Sequence, residues 1–257
     1  MGEPLFSIVT ITYQNLLGLE ETLESVQAQR CRDFEHVVVD GGSTDGTADW
    51  LQQNFDGVWL SEPDRGRYDA MNKGARMAKG TYLWFLHAGD AFGDALVLDR
   101  VAGAMHNGQS WGYGLARVVN PERVLEGTLG FVPFSLFNFA ILARPLPHQA
   151  TFLRRDFFWR LGGYDQRAPG AADQRLLLRA ASIAAPVALA DFLCDFDSTG
   201  ISAGRHWWVD FWDAEKNRRQ MDHPLTRWRS LDSGLSLAYA LFRQIARMAR
   251  QVMSYSK

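Results

Sequence analysis

Apolar runs alternate with helix-period stretches through the first ninety or so residues. Phe6–Ser7–Ile8–Val9–Thr10–Ile11–Thr12 is β-branched and apolar, which predicts a buried strand. After Asn15, Leu19, Leu23 and Val26 recur at helical spacing, and the pattern ends before Cys31. Phe34–Glu35–His36–Val37–Val38–Val39–Asp40 predicts a second buried strand. Gly41–Gly42–Ser43–Thr44–Asp45–Gly46–Thr47 breaks it into a turn and the start of a helix. Val58–Trp59–Leu60 is a short third strand, and residues 68–77 form a helix with Met71, Ala75 and Ala78 turned inward. Tyr82–Leu83–Trp84–Phe85–Leu86 is the fourth strand. Strands alternating with helices predict an α/β fold on a parallel sheet with right-handed crossovers.

From Trp111 the texture changes. Residues 111–119 and 123–127 suggest a hairpin around Asn120–Pro121. Residues 131–146 are apolar and broken by proline, too short to span a membrane. They read either as a core-covering loop or as a flap facing an acceptor or lipid. A strand at 151–154, a helix at 156–161 and the turn Gly162–Gly163–Tyr164–Asp165 follow. Asp173 then opens a helical run carrying Leu176, Leu177, Ala180 and Ala181.

From Arg205 onward the chain reads as an appendage. Trp207, Trp208 and Trp212 offer rings for stacking on sugar, but Trp208 and Trp212 at i,i+4 also form a plain apolar stripe. Residues 236–252 predict a helix with Leu237, Leu241, Ile245, Met248 and Val252 on one face. Arg243, Arg247 and Arg250 line another face, suited to an anionic membrane surface or simply to solvent.

Composition narrows the function classes. A chain of 257 residues with 47% hydrophobic and 22% charged residues matches a globular protein of one large domain, with or without an extension. The net charge of -2 gives no electrostatic reason to expect nucleic acid as a partner. Two cysteines, Cys31 and Cys194, are too few for a disulfide framework or a zinc site. No apolar leader precedes the first strand, so a cytoplasmic location is expected.

In parallel sheets ligands bind at the carboxyl ends of the strands. Thr12, Tyr13, Asp40, residues 61–67 and residues 87–90 stand there. Asp40, beside two glycines, can accept hydrogen bonds from a base or ribose, and Tyr13 offers a flat face for a base. Asp90 is a hard oxygen ligand suited to Mg²⁺ or Mn²⁺ on a diphosphate. Arg67 and Lys73 can neutralise phosphate, near a helix start that adds its dipole. Asp45 reads as turn or cap chemistry.

Three stretches together carry a family resemblance. They are Val37–Val38–Val39–Asp40–Gly41–Gly42–Ser43–Thr44–Asp45–Gly46–Thr47, Ser61–Glu62–Pro63–Asp64–Arg65–Gly66–Arg67–Tyr68–Asp69–Ala70–Met71–Asn72–Lys73–Gly74 and Pro147–His148–Gln149–Ala150–Thr151–Phe152. In this order they resemble family-2 glycosyltransferases of the GT-A fold, most of all the subgroup of colanic acid biosynthesis glycosyltransferases. The likeness runs from about residue 5 to about residue 200. It implies a Rossmann-like, mostly parallel central sheet flanked by helices, with a C-terminal helical extension. On that pattern residues 1–204 form the transferase domain, 1–105 binding the nucleotide sugar and 106–204 the acceptor, and residues 205–257 form the extension.

The resemblance also implies roles. Thr12, Tyr13 and Asp40 hold the nucleoside, and Arg67 lies near the base or phosphates. The family's metal motif carries two carboxylates, whereas His87–Ala88–Gly89–Asp90 keeps one. Asp90 inherits the Mn²⁺ or Mg²⁺ site and His87 becomes a neighbour of the phosphates. Asp173 takes the place of the family's general base, with Ala172 where an acidic partner usually stands. His148 falls near the acceptor or the departing diphosphate. The implied activity is inverting transfer from a UDP- or GDP-linked sugar to a hydroxyl of a polysaccharide or lipid-linked saccharide at the inner membrane face. A catalytically weak nucleotide-sugar-binding protein is the alternative, motivated by the thinned motif and Ala172. A dinucleotide-dependent oxidoreductase is disfavoured, because Tyr13–Gln14–Asn15–Leu16–Leu17–Gly18 lacks the glycine fingerprint.

Overall fold

Residues 6–12 run into the sheet fully buried because every side chain of that strand is apolar or a small hydroxyl. The computed structural model describes residues 2–105, 108–167, 171–197, 207–219, 221, 224–226 and 228–255, without the side chains of 207–210, 247 and 250–255. In chain order the first elements are β1 (Phe6–Thr12), α1 (Leu16–Gln27), β2 (Phe34–Asp40), α2 (Thr47–Asn54), β3 (Val58–Ser61), α3 (Arg67–Met77) and β4 (Tyr82–Phe85). There follow β5 (Ala91–Phe92), α4 (Val97–Ala104), β6 (Trp111–Val119), β7 (Leu125–Leu129), α5 (Leu136–Ala140), β8 (Thr151–Arg154), α6 (Arg155–Arg160), α7 (Ala172–Ile183), β9 (Val187–Asp197), α8 (Trp207–Arg219) and α9 (Arg229–Tyr255).

The strands lie in the order β3-β2-β1-β4-β8-β6-β9-β5, with β7 paired to β6. Strands β1 to β4 are mutually parallel, as the alternating pattern predicts. Strand β8 joins β4 and β6 antiparallel, whereas β9 runs parallel to β6, so the sheet as a whole is mixed. Because β1 has β2 on one side and β4 on the other, the crevice at their carboxyl ends is a topological switch point. Helix α3 packs on β1 through Gly74, where a Cβ would lie 2.4 Å from a Val9 methyl. Any larger residue at 74 would push α3, and the loop before it, off the sheet.

Trp84 links the two kinds of pairing. Its ring packs against Phe6, Phe92 and Phe152, and its indole N–H donates to the Gln149 carbonyl at 2.7 Å. Burying such a side chain contributes roughly 1.5–3 kcal/mol. Strand β4 and the turn that carries His148 are thereby fixed to each other.

The chain divides into two compact units, residues 1–134 with 146–200 and residues 135–145 with 201–257. The apolar segment 131–146 thus contributes helix α5 to the second unit instead of remaining a loop throughout. Within that unit Arg218 donates to the carbonyl of Ala140 and pairs with Glu215 at 2.6 Å, and Ser233 of α9 also donates to Glu215. Helix α9 is longer than the helix expected at 236–252. It leaves Leu237, Leu241, Phe242, Ile245 and Met248 exposed. Arg243 is exposed, while the side chains of Arg247 and Arg250, like those of Trp207 and Trp208, lie outside the described residues. Among the described residues, no helix is long and apolar enough to cross a membrane.

Candidate functional site

At the ends of β1, β2 and β3 the polar groups are mostly occupied with shaping backbone. Asp40 is fully buried; its Oδ1 accepts the Ser43 hydroxyl at 2.5 Å and its Oδ2 the Ser61 hydroxyl at 2.6 Å. The Ser43 amide donates to the same carboxylate. Asp40 therefore pins the β2 and β3 loops together, which the sequence reading, giving it a nucleoside, did not include. Asp45 behaves as the turn residue expected: it accepts the Thr47 amide and hydroxyl and the Leu16 amide, which hold its pKa below the usual value against a raising effect of burial.

Thr12 is buried, its hydroxyl turned to the Asn15 carbonyl. Tyr13, by contrast, is 66% exposed, with an edge 3.2 Å from where a Gly41 Cβ would stand. A planar ligand can approach that ring beside bare glycine backbone. Lys73 reaches back to Glu62 at 2.7 Å and to the Pro63 carbonyl at 3.0 Å. Its charge braces the β3–α3 loop, where the sequence reading gave it to a phosphate. Arg67, at the start of α3, lies over the Tyr68 ring at 4.8 Å.

The loop after β4 carries His87 and Asp90. Gly89 supplies a positive φ of 99° there, and Thr22 of α1 bonds the loop backbone at His87, Gly89 and Asp90. The Asp90 carboxylate turns inward and accepts the amides of His87 and Asp197, each at 3.2 Å. Burial pushes its pKa up to about 7, against lowering by those bonds and by His148 and with a small further push from Asp197.

Four residues from distant parts of the chain meet opposite this loop. The Tyr68 hydroxyl donates to Asp173 Oδ1 at 2.8 Å, and the Gln174 amide donates to Oδ2 at 3.1 Å. His148 Nδ1 stands 3.4 Å from Oδ2, and its Nε2 stands 3.4 Å from His87 Nε2. Burial alone would raise the Asp173 pKa, but His148, Gln174 and Tyr68 outweigh it and hold the carboxyl well below its usual range. Burial, then the charges of His148 and Arg67, push His87 well below its ordinary value, so its ring is neutral. Burial first and Asp173 second keep the Tyr68 phenol protonated. Gln174 also bonds Leu146 twice, accepting its amide and donating to its carbonyl, which fixes the start of α7 to the turn before His148.

Of the residues expected from sequence, the structure brings His87, His148 and Asp173 into contact and ties Asp90 to the His87 amide. Tyr68, Gln174 and Thr22 were missed. The signals for the first two were adjacency to Arg67 and Asp173 and, for Tyr68, its place in a stretch that carries the family resemblance. Among the described residues no group of three or more His, Cys, Asp or Glu side chains forms a ready metal cluster. The donor chemistry nevertheless fits a hard cation at Asp90. Each of its oxygens accepts one amide and keeps a second lone pair, and the Asp197 side chain approaches the same loop at Gly89.

Comparison with known proteins adds an independent finding. The sequence model of the family described as "Glycosyl transferase family 2" matches residues 7–160. An uncharacterised glycosyltransferase of Mycobacterium tuberculosis is 42% identical over 209 residues, 79% of this chain and 78% of that protein. Among solved structures, the fold is similar to S. aureus TarS. The TarS 1–349 complex with UDP-GlcNAc superposes with a TM-score of 0.64 at 16% identity, over 91% of this chain and 71% of that one. This chain spans 42% of the longer TarS structure. The mannosyltransferase PcManGT of Pyrobaculum calidifontis, solved with GDP-Man and Mn²⁺, gives a TM-score of 0.62 at 20% identity, over 99% of this chain and 80% of that one.

Proposed function

The chain belongs to glycosyl transferase family 2, and from that premise we propose that it moves a sugar, with inversion, from a nucleotide-sugar donor to a hydroxyl of a saccharide acceptor. The observation that carries the proposal is the Asp173–His148 pair beside the His87–Asp90 loop. Inversion needs a group that draws the proton from the acceptor hydroxyl as the anomeric carbon becomes oxocarbenium-like, and no covalent enzyme intermediate. A partly buried carboxylate joined to an imidazole supplies that group.

The donor is a UDP- or GDP-linked sugar in this reading, supported by the UDP-GlcNAc complex of TarS and the GDP-Man complex of PcManGT. Tyr13 stacks on the base, Asp40 shapes the loops around the nucleoside, and Arg67 faces the phosphates. Asp90 would hold a divalent cation. When bound, that cation neutralises charge gathering on the departing diphosphate. The acceptor is a polysaccharide or lipid-linked saccharide at the inner face of the cytoplasmic membrane, and helix α9 is suited to lie on a bilayer. The exposed apolar residues of α9 alter how that helix would dock: Leu241, Phe242, Ile245 and Met248 give burial in the interface, so salt alone would not release it.

Thermal unfolding with a panel of UDP-, GDP- and dTDP-sugars, with and without Mn²⁺, tests the reading. One donor class should raise the Tm saturably, by an amount corresponding to roughly 2.7 kcal/mol at a hundredfold excess over Kd. A flat response to all of them would remove the proposal. Donor binding without transfer to any hydroxyl would favour a nucleotide-sugar-binding protein.

A further inference from the structure

Asp173 is the residue that sequence and family pattern mark as the proton acceptor, yet its surroundings suit it poorly to that task. Three side chains converge on its two oxygens: the Tyr68 hydroxyl, the Gln174 amide and the His148 ring. A carboxylate so well supplied with donors holds a cation well and takes a proton badly. His148 has the complementary arrangement. With ionised Asp173 facing Nδ1, the neutral ring carries its proton on Nδ1 and leaves a lone pair on Nε2. That Nε2 points to His87 Nε2, beside the loop assigned to the leaving diphosphate.

From this geometry, and resting on the glycosyl-transfer reading above, we infer that His148 Nε2 receives the acceptor proton while Asp173 holds the opposite ring nitrogen. Neutral His87 then acts as a placeholder: its Nε2–H meets the lone pair that the acceptor hydroxyl takes over. In the step, the acceptor O–H bond breaks and its proton moves to Nε2 as the oxygen bonds the anomeric carbon. The bond from that carbon to the donor phosphate oxygen breaks, and its electron pair leaves on the nucleoside diphosphate. The imidazolium stays paired with Asp173 until it returns the proton to solvent. The 3.4 Å separations are those of an unliganded site, in which catalytic hydrogen bonds are commonly long.

The ring is held for this work from both sides. Gln149, the next residue, is tied to Trp84 of β4 through its carbonyl, and Leu146, two residues before, is clamped by Gln174. The groups against it are Asp173 of α7 and His87 of the β4 loop, with Asp90 of that loop near enough to feel its charge. None of the others combines a lone pair facing the cleft with a carboxylate behind it.

Two variants test the inference. In His148→Asn an amide N–H stands where Nδ1–H stood, so the Asp173 contact is kept while the basic nitrogen is gone. His148→Gly leaves a space for free imidazole. Each should bind the donor identified by thermal shift as the parent does and transfer sugar slower by a factor on the order of 10². Imidazole should restore transfer to His148→Gly in proportion to its concentration, and pyrazole, a ring of the same size but far weaker basicity, should not. Transfer by His148→Asn within about threefold of the parent, or no response of the glycine variant to imidazole, would overturn the inference, since a general base contributes far more than that. If the parent itself binds and transfers no nucleotide sugar, the glycosyl-transfer reading has failed instead.

Discussion

Asp40 ends strand β2 and Asp173 opens helix α7, and the two carboxylates are used in opposite ways. Asp40 is fully buried, and its bonds come from Ser43 and Ser61, the loops it has to hold in shape. The partners of Asp173 are Tyr68, His148 and Gln174, drawn from α3, the turn before β8 and α7. The first arrangement fixes backbone so that a ligand finds a preformed surface. The second assembles side chains whose protonation states depend on one another. A carboxylate drawn away from solvent therefore says little about its work until the origin of its partners is known.

The comparison can be sharpened through Asp90, a buried carboxylate whose two amide bonds do not offset its desolvation. Its folded-state pKa, about 7, stands above the ordinary aspartate value of 3.8. The folded protein thus binds more protons than the unfolded chain between these values, and stability falls as pH rises through about 7. With chelator present the loss from this group should approach about 4 kcal/mol. Asp90→Asn should flatten that slope in denaturant titrations run from pH 4.5 to 8. Carboxylates with lowered pKa, such as Asp173 and Asp45, act in the other direction and only at lower pH.

A slightly smaller effect is expected at Asp40. Asp40→Ala strands the Ser43 and Ser61 hydroxyls and should cost about 3 kcal/mol in unfolding free energy. Because its role is structural, kcat at saturating donor should stay within a few-fold of the parent. A collapse of kcat with normal stability would erase the contrast with Asp173.

On the catalytic side, Gln174→Leu should lower kcat roughly tenfold with little change in donor KM, since it loosens the Asp173–His148 geometry without touching the donor. Steady-state kinetics with varied donor separates the two quantities. The smallest effect belongs to Lys73. Lys73→Met removes a partly exposed pair with Glu62 and should cost less than about 1 kcal/mol. Donor affinity should be unchanged by calorimetry, and a large drop would return Lys73 to the phosphates.

Much of the first ninety residues was legible in the sequence because its information is local. Strands β1 to β4 are dominated by apolar and β-branched residues, and β2, β3 and β4 run out into loops that carry a glycine or an acidic residue. Strand β9 was invisible for the opposite reason. Its first half is partly exposed, Asp191, Asp195 and Asp197 interrupt its apolar residues, and its register against β6 shifts near Leu115. Strand β5 is two residues long, too short to show a period. Asp173 could be singled out only by resemblance. Its partner Tyr68 is 105 residues away, and His87 is 61 residues from His148. Such pairs exist only once β4, β8 and the start of α7 have been packed together, so no spacing in the chain announces them.

The central claim is that donor binding and proton removal belong to different parts of this site. It is tested most directly by measuring donor affinity and sugar transfer on the same samples of the parent and Asp173→Asn. The amide cannot hold the His148 ring as an ionised carboxylate does, so transfer should fall by a factor on the order of 10² to 10⁴. The donor-induced rise in Tm should remain that of the parent. Transfer at the parental rate, or donor binding lost together with transfer, would contradict the account.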